Sequence, residues 1–537
     1  MTSPRTRWFG LLFISLAVSL IIVDSTIINV SIPSIIEDLG ITSTQVQWVQ
    51  ESYTLVFAAL LLVFGALADR FGRRRIMILG MAIFVISSVI AGLSQSGDIL
   101  IAARVLQGIG GAMVLPTTLS LVNANFQGKE RGIAFAIWGS TIGGMVAVGP
   151  LLGGWLTTDY SWRWAFGINI PLGIIIIIGA LLTVTESKEA GNNRGIDWLG
   201  AVYSVIAMST LVFALIEGRT YGWWEVNKEF TVGNWTWPGS ISIIPVMFLI
   251  FVLATTAFIA HGAARIKKGK PALIAFNLFS IASFRNGNVA AMVISLGEFG
   301  IILSLPLWLQ FVIGYDALQT GFVLLGLAGG AFVASGVAGA LSGRVSPVSM
   351  VRLGILLEIV GVAGVGFMIS PTATWVSVVP WLFVYGLGVG LATAQLTNVI
   401  LKDVPVQESG QASGTQSTSR QLGSALGIAI LGTILFASVQ IQLTNDLTNE
   451  GLPEEQVTQV VDSVVDSAGG AIIGLEQDPA TIPIADYAKQ AISDGTRYGA
   501  FAAAGFLGLG FLATLSLGKT RQEEVEKMET SGDAHVI

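Results

Sequence analysis

Apolar stretches of about 20 residues follow one another along almost the whole chain, among them "IPLGIIIIIGALLT" at 170–183. At ~1.5 Å per residue, a helix of that length crosses the ~30 Å hydrocarbon core of a bilayer. Their repetition points to one fold class, an all-helical polytopic membrane protein. The charge content agrees: 12% of the 537 residues are Asp, Glu, Lys or Arg, against about 25% in a soluble protein. The sequence has no cysteine, which removes disulfides, thiolate chemistry and cysteine metal sites. The first apolar stretch is of full length and lacks a small-residue cleavage site, so it reads as a span and not as a signal peptide.

About fourteen spans are expected, centred near residues 22, 57, 85, 111, 144, 174, 208, 252, 300, 329, 360, 388, 426 and 507. With the N-terminus in the cytoplasm, about 21 of the 28 Lys and Arg fall inside and about 5 outside, with Arg104 and Arg420 within spans. This bias puts both termini in the cytoplasm. The loop 439–495 then lies outside, with about ten acids and one base, Lys489. Within it Val457, Val460, Val461, Val464 and Val465 predict an amphipathic helix. Such a helix would lie on the outer membrane surface, cover a vestibule or belong to a solvated connector.

"GALADR" at 65–70 is echoed by "GALSGR" at 339–344. The same shift of 274 carries Asp24 onto Glu298, Gly149 onto Gly423 and Gly153 onto Gly427. Four landmarks at one shift predict two six-helix bundles, 1–190 and 282–518, with a two-helix insert and connector at 191–281 and a cytoplasmic tail at 519–537. Parallel repeats of this kind are one architecture of secondary transporters, with the substrate bound between the halves.

A carboxylate at a bilayer centre costs at least ~2.5–3.5 kcal/mol, so an acid inside a span needs a reason. Asp24 lies in "SLIIVDSTIINVSIP" (19–33), expected about 9 Å short of the outer helix end at ~1.5 Å per residue. Glu51 and Arg104 enter from outside and reach a similar depth, so the three are expected in one cluster. Burial disfavours the charged form of a carboxylate and a guanidinium favours it, which makes protonation of Asp24 conditional. A static ion pair that only fixes helix packing is the alternative. Glu298, at the repeat position of Asp24, is expected to bind a proton or a cationic substrate, or else to remain protonated and hydrogen-bonded. Glu217 ends a helix of the insert beside Arg219. Glu358, placed about six residues in from the cytoplasmic side, reads as a snorkelling or packing residue. Trp138 and Trp308 sit within spans and are candidates to line an apolar cavity, whereas most of the 14 Trp mark span ends.

"GALADRFGRRR" (65–75) closes a short cytoplasmic turn, with Gly65 for close backbone approach, Asp69 ending a helix, Gly72 in the turn, and Arg70, Arg73, Arg74 and Arg75 at the membrane edge. This stretch resembles the signature loop of the major facilitator superfamily. That resemblance implies a gate in which Asp69, Arg70 and Arg73 contact a helix start in the other half, for which "ESGQASGTQ" (408–416) is suitable. The copy at 339–344 lacks the acid, so the gate is expected to be asymmetric. "VDSTIINVSIP", with Asp24, Asn29 and Pro33, is similar to a motif of the fourteen-span drug:proton antiporter branch. "AARVLQGIGGA" (102–112) resembles the fourth-helix motif through Arg104, Gln107 and Gly108, and "GPLLGGWL" the fifth-helix antiporter motif through Gly149, Pro150, Gly153 and Gly154. "PLWLQFVIGYDALQTG" and "SRQLGSALGIAILG" also resemble that branch. Acids that some members with divalent-cation substrates carry in the tenth or thirteenth spans are missing, and Arg420 stands there instead.

The resemblance implies proton-driven export of amphipathic, cationic drugs by alternating access from a bacterial plasma membrane. Export of a lipid or endogenous metabolite is the alternative, and a non-transporting membrane sensor the alternative of another class. The implied partners are a small amphipathic substrate, protons and the lipid bilayer, with no nucleic acid and a monomeric chain. No enzyme is expected: there is no nucleophile–base pair, and His261 and His535 are too few for a metal cluster. "SLGKT" (516–520) has Ala513 where a phosphate-binding loop needs its first Gly. No cofactor is therefore expected beyond the proton gradient.

Overall fold

The computed structural model describes residues 4–41, 43–188, 197–232, 235–341 and 344–517. The tail 519–537, most of the start of the insert (191–196) and the turn of the repeat copy (342–343) lie outside the described residues. The first helices are α1 (Pro4–Leu39), α2 (Ser43–Phe71), α3 (Arg73–Gly92), α4 (Gly97–Asn125), α5 (Gly128–Asp159), α6 (Arg163–Gly167) and α7 (Asn169–Thr183). The insert forms α8 (Trp198–Tyr221) and α9 (Ile243–Lys267), with a pair of antiparallel two-residue strands, Thr231–Val232 and Trp235–Thr236, between them. Then come α10 (Ala282–Phe311), α11 (Ala317–Leu341), α12 (Pro347–Met368), α13 (Trp375–Leu401), α14 (Ser409–Asn449), α15 (Glu454–Asp466), α16 (Ala471–Leu475) and α17 (Ile482–Thr514). Among the described residues, twelve helical segments are long and apolar enough to cross a membrane. Two further long helices, α5 and α17, pack among them.

Packing repeats along the chain. α1 packs on α5 and α7, α3 on α4 and α7, and α2 on α4. In the same pattern α10 packs on α14 and α17, α12 on α13 and α17, and α11 on α13. Glycines set the equivalent contacts. A Cβ on Gly153 would meet the Ile27 carbonyl at 2.8 Å, and one on Gly427 would strike the Leu296 carbonyl. α5 thereby lies directly on α1, and α14 on α10. The two sets meet through α2 on α14 and α5 on α11 and α13, and α8 lies against both α2 and α14.

Two boundaries differ from expectation. α1 runs on to Leu39, so Asp24 stands about 22 Å from that helix end rather than near it. The expected loop 439–495 is largely helix: α14 has 41 residues, about 60 Å, and α17 already begins at Ile482. Polar composition made these stretches look like loop. They stay helical because Val439, Leu443 and Leu447 form a buried stripe, which α15 helps to cover with Val457, Val461 and Val464.

Candidate functional site

Asp24 is fully buried at the middle of α1 and three side chains converge on it. Arg104 Nη1 donates to Oδ2 at 2.7 Å, while Gln107 Nε2 and Asn169 Nδ2 donate to Oδ1 at 3.1 and 2.7 Å. Arg104 and Gln107 are neighbours on α4, three residues apart. Asn169 comes from the first turn of α7. Gln107 and Asn169 also donate to Ser88 Oγ on α3, at 2.9 and 3.1 Å. Arg104 completes its bonding through Nε to the Val49 carbonyl at 3.1 Å and lies 4.3 Å from the Tyr53 ring centre. The result is a paired, hydrogen-bonded charge of the kind a low-dielectric interior tolerates.

Glu51 does not join this cluster. Val49 and Tyr53, four residues apart on α2, share the face toward Arg104, and Glu51 between them points to another side. Its charge, with that of buried Glu217, acts on Tyr221 of α8. The antiporter-motif glycines lie beside Asp24 instead. A Cβ on Gly149 would meet the Val23 carbonyl at 3.1 Å and overlap the Thr26 hydroxyl. Pro150 follows within α5, and Gly154 is buried on it.

Glu298 occupies the matching place on α10 with looser partners. Arg420 of α14 stands at 3.5 Å from Oε2, and Thr393 of α13 donates to Oε1 at 3.2 Å. Tyr385 Oη donates to the Glu298 carbonyl at 3.2 Å. A small cavity of about 10 Å³, room for roughly one water, has Glu298, Thr393, Thr397, Gln416 and Arg420 on its polar side and Ala291, Ile294 and Leu396 on its apolar side. Gln416 donates to Thr397 Oγ1 at 2.8 Å, and its own carbonyl oxygen has no partner among the described residues. Trp138 and Trp308 do not border this cavity. Both are enclosed in the main apolar core, Trp138 donating to Thr118 Oγ1 at 3.2 Å. Glu358, read from sequence as peripheral, is fully buried halfway along α12.

The third cluster closes one end of the bundle. Asp69 Oδ1 and Oδ2 accept from the Gly410 and Gln411 amides at 2.7 and 2.8 Å, so a carboxylate of α2 caps the N-terminus of α14. Gly65 permits the approach, since a Cβ there would lie 2.9 Å from Gly414 Cα. Arg73 pairs with Asp69 at 2.6 Å and donates to the Val406 carbonyl at 2.5 Å. Gly72, at φ 109°, makes the turn into α3. Arg70 lies over its neighbour Phe71, 5.7 Å from the ring centre. Sequence reasoning missed two further ties across this end, Asn123 to Ser409 Oγ at 2.8 Å and Arg131 to Asn398 at 3.0 Å. Asn169 and Ser88 were missed as well. Single small polar residues in apolar helices carry no spacing signal.

A family profile described as Major Facilitator Superfamily matches residues 14–428. The chain is 31% identical over 419 residues to a probable actinorhodin transporter of Streptomyces coelicolor, covering 76% of this chain and 69% of that one. It is 28% identical over 412 residues to a tetracenomycin C resistance and export protein of Streptomyces glaucescens, covering 77% and 73%. The fold is also similar to that of the human organic anion transporter MFSD10 (TETRAN), at TM-score 0.56 and 12% identity over 96% of this chain and all of that one.

Proposed function

The chain belongs to the major facilitator superfamily, and from that premise we propose that it is a proton-coupled antiporter that exports amphipathic, cationic drugs by alternating access. In this reading the fourteen long helices all span a bacterial plasma membrane. They form two six-helix halves around the α8–α9 insert, and the Asp69 gate faces the cytoplasm, shut in the present state. The relatives' names, as transporter and as resistance and export protein, support the export of drug-like compounds.

The observation that carries the reading is the Glu298–Arg420 pair. A carboxylate and a guanidinium 3.5 Å apart, deep in the bilayer beside a small cavity, hold a charge that other ligands can also neutralise. A proton and a cationic substrate each do so, and the two therefore compete for Glu298. Asp24 is the second coupling site. Arg104, Gln107 and Asn169 occupy it in the present state, and relative movement of the helices that opens this network exposes it to protons. Membrane potential supplies about 2.3 kcal/mol per charge per 100 mV.

Purified protein in liposomes that enclose a pH-sensitive dye tests this, with ethidium added under an imposed proton gradient. Wild type is expected to exchange protons for ethidium, Glu298→Gln to lose the exchange and to bind ethidium more weakly, and Asp24→Asn to lose most of the exchange. No proton movement in wild type with any of a panel of lipophilic cations overturns the reading.

A further inference from the structure

Glu358 is a buried carboxyl that the proposal above leaves without a task, and its surroundings are unlike those of Asp24 and Glu298. It is 0% exposed at the midpoint of α12, and neither carboxyl oxygen has a hydrogen-bond partner among the described residues. α12 and α13 cross closely at Gly354, Gly361 and Gly388, and a Cβ on Gly388 would lie 2.7 Å from Glu358 Cγ. The charged and titratable groups acting on Glu358 are Glu298 of α10, Arg420 of α14 and Tyr385 of α13. Further along α12, α17 brings Ala500 and Phe501 against Gly366.

The charges there do not balance if every group is ionised. Arg420 offers one positive charge, and Glu298 already occupies it. A second carboxylate, buried and without a donor, would be an unpaired charge in low dielectric, the most expensive state a side chain can adopt. Two carboxyls around one guanidinium hold a proton between them.

We propose that Glu358 is a second proton-carrying carboxyl of the transport cycle, which holds a proton in the present state and shares the guanidinium of Arg420 with Glu298. One proton passing from the Glu358 carboxyl to the Glu298 carboxylate leaves the charge of the trio unchanged. Only a further cation alters how many protons the trio keeps. A monovalent cationic substrate beside Glu298 neutralises one carboxylate, Arg420 serves the other, and the proton of Glu358 is released. This use of the proton rests on the antiport reading above. The presence of the proton does not.

Infrared spectroscopy of the full-length protein in detergent, at neutral pH and without substrate, tests the two parts separately. Wild type is expected to show the carbonyl stretch of a protonated carboxylic acid, and Glu358→Gln to lose it. In Glu298→Gln the freed Arg420 turns to Glu358, so the band weakens at the same pH. A band that survives Glu358→Gln, or none in wild type, overturns the proposal. A band untouched by Glu298→Gln overturns the shared guanidinium. If Glu358→Gln does not elute as a monodisperse species, the comparison of wild type with Glu298→Gln decides alone.

Ethidium added to the same samples in unbuffered solution with a pH dye then tests release. Fewer protons per ethidium bound in Glu358→Gln than in wild type support the carrier role, and equal release overturns it. No release from wild type sinks both the carrier role and the antiport reading, while a band lost in Glu358→Gln still upholds the stored proton.

Discussion

Asp24 and Glu298 sit at equivalent places in two sets of helices that pack alike, yet their surroundings differ in kind. Asp24 has a guanidinium at 2.7 Å and two amide donors, all buried, with Ser88 tying the amides together. Glu298 has a guanidinium at 3.5 Å whose side chain is 21% exposed, and one hydroxyl. The first arrangement satisfies its charge fully and the second does not. In the antiport reading a site that must let go of its ligand cannot be saturated, which puts substrate exchange at Glu298 and leaves Asp24 dependent on a helix movement that opens its network.

Stability measurements break that contrast most directly. Arg104→Ala strands a buried carboxylate and is expected to cost about 3–5 kcal/mol. Arg420→Ala removes a longer, less enclosed pair and is expected to cost less, about 1.5–3 kcal/mol, while abolishing transport. Equal losses in denaturant melts in detergent would erase the distinction between the two sites.

The gate sharpens the comparison, because one set of helices supplies the acid and the other the amides. In Asp69→Asn an NH₂ group faces amides that also donate, and the charge-assisted bonds, about 1.5–3 kcal/mol each, are lost. Since the chain has no cysteine of its own, a Gln407→Cys label site can report opening, and its labelling is expected to accelerate about tenfold or more. An unchanged rate would mean that Asp69 does not hold this end shut. The smallest effect is expected from Thr393→Val, which removes one donor from Glu298 and lowers stability by about 1 kcal/mol or less in the same melts.

The sequence made some of this legible because the signals were spaced. The Asp24–Arg104 encounter, the capping of 408–416 by Asp69 and the apolar face of α15 all follow from motif position or helical period. The repeat shift of 274 brought Glu298 to the place of Asp24. Other features had no such signal. Arg420 registered only as a departure from a pattern, since nothing in a one-dimensional reading ties position 420 to position 298. Glu51 was grouped with Asp24 by depth alone, whereas the face of α2 decides its neighbours. Glu358 stood in plain view as an acid in an apolar run and was assigned to the edge because its span was placed by hydropathy, whose window does not resolve half a helix.

α14 links these sites mechanically. Gly410 and Gln411 at the gate, Arg420 at the carboxyl pair, Phe436 under the Arg219 guanidinium and Leu447 in the stripe that α15 covers all belong to one helix with no proline in it. About 15 Å of rigid rod separates the gate amides from Arg420. A rod has no slack, so a small rotation that draws Arg420 off Glu298 also swings the gate amides past Asp69. Sensor and latch would then be two notches cut in the same key.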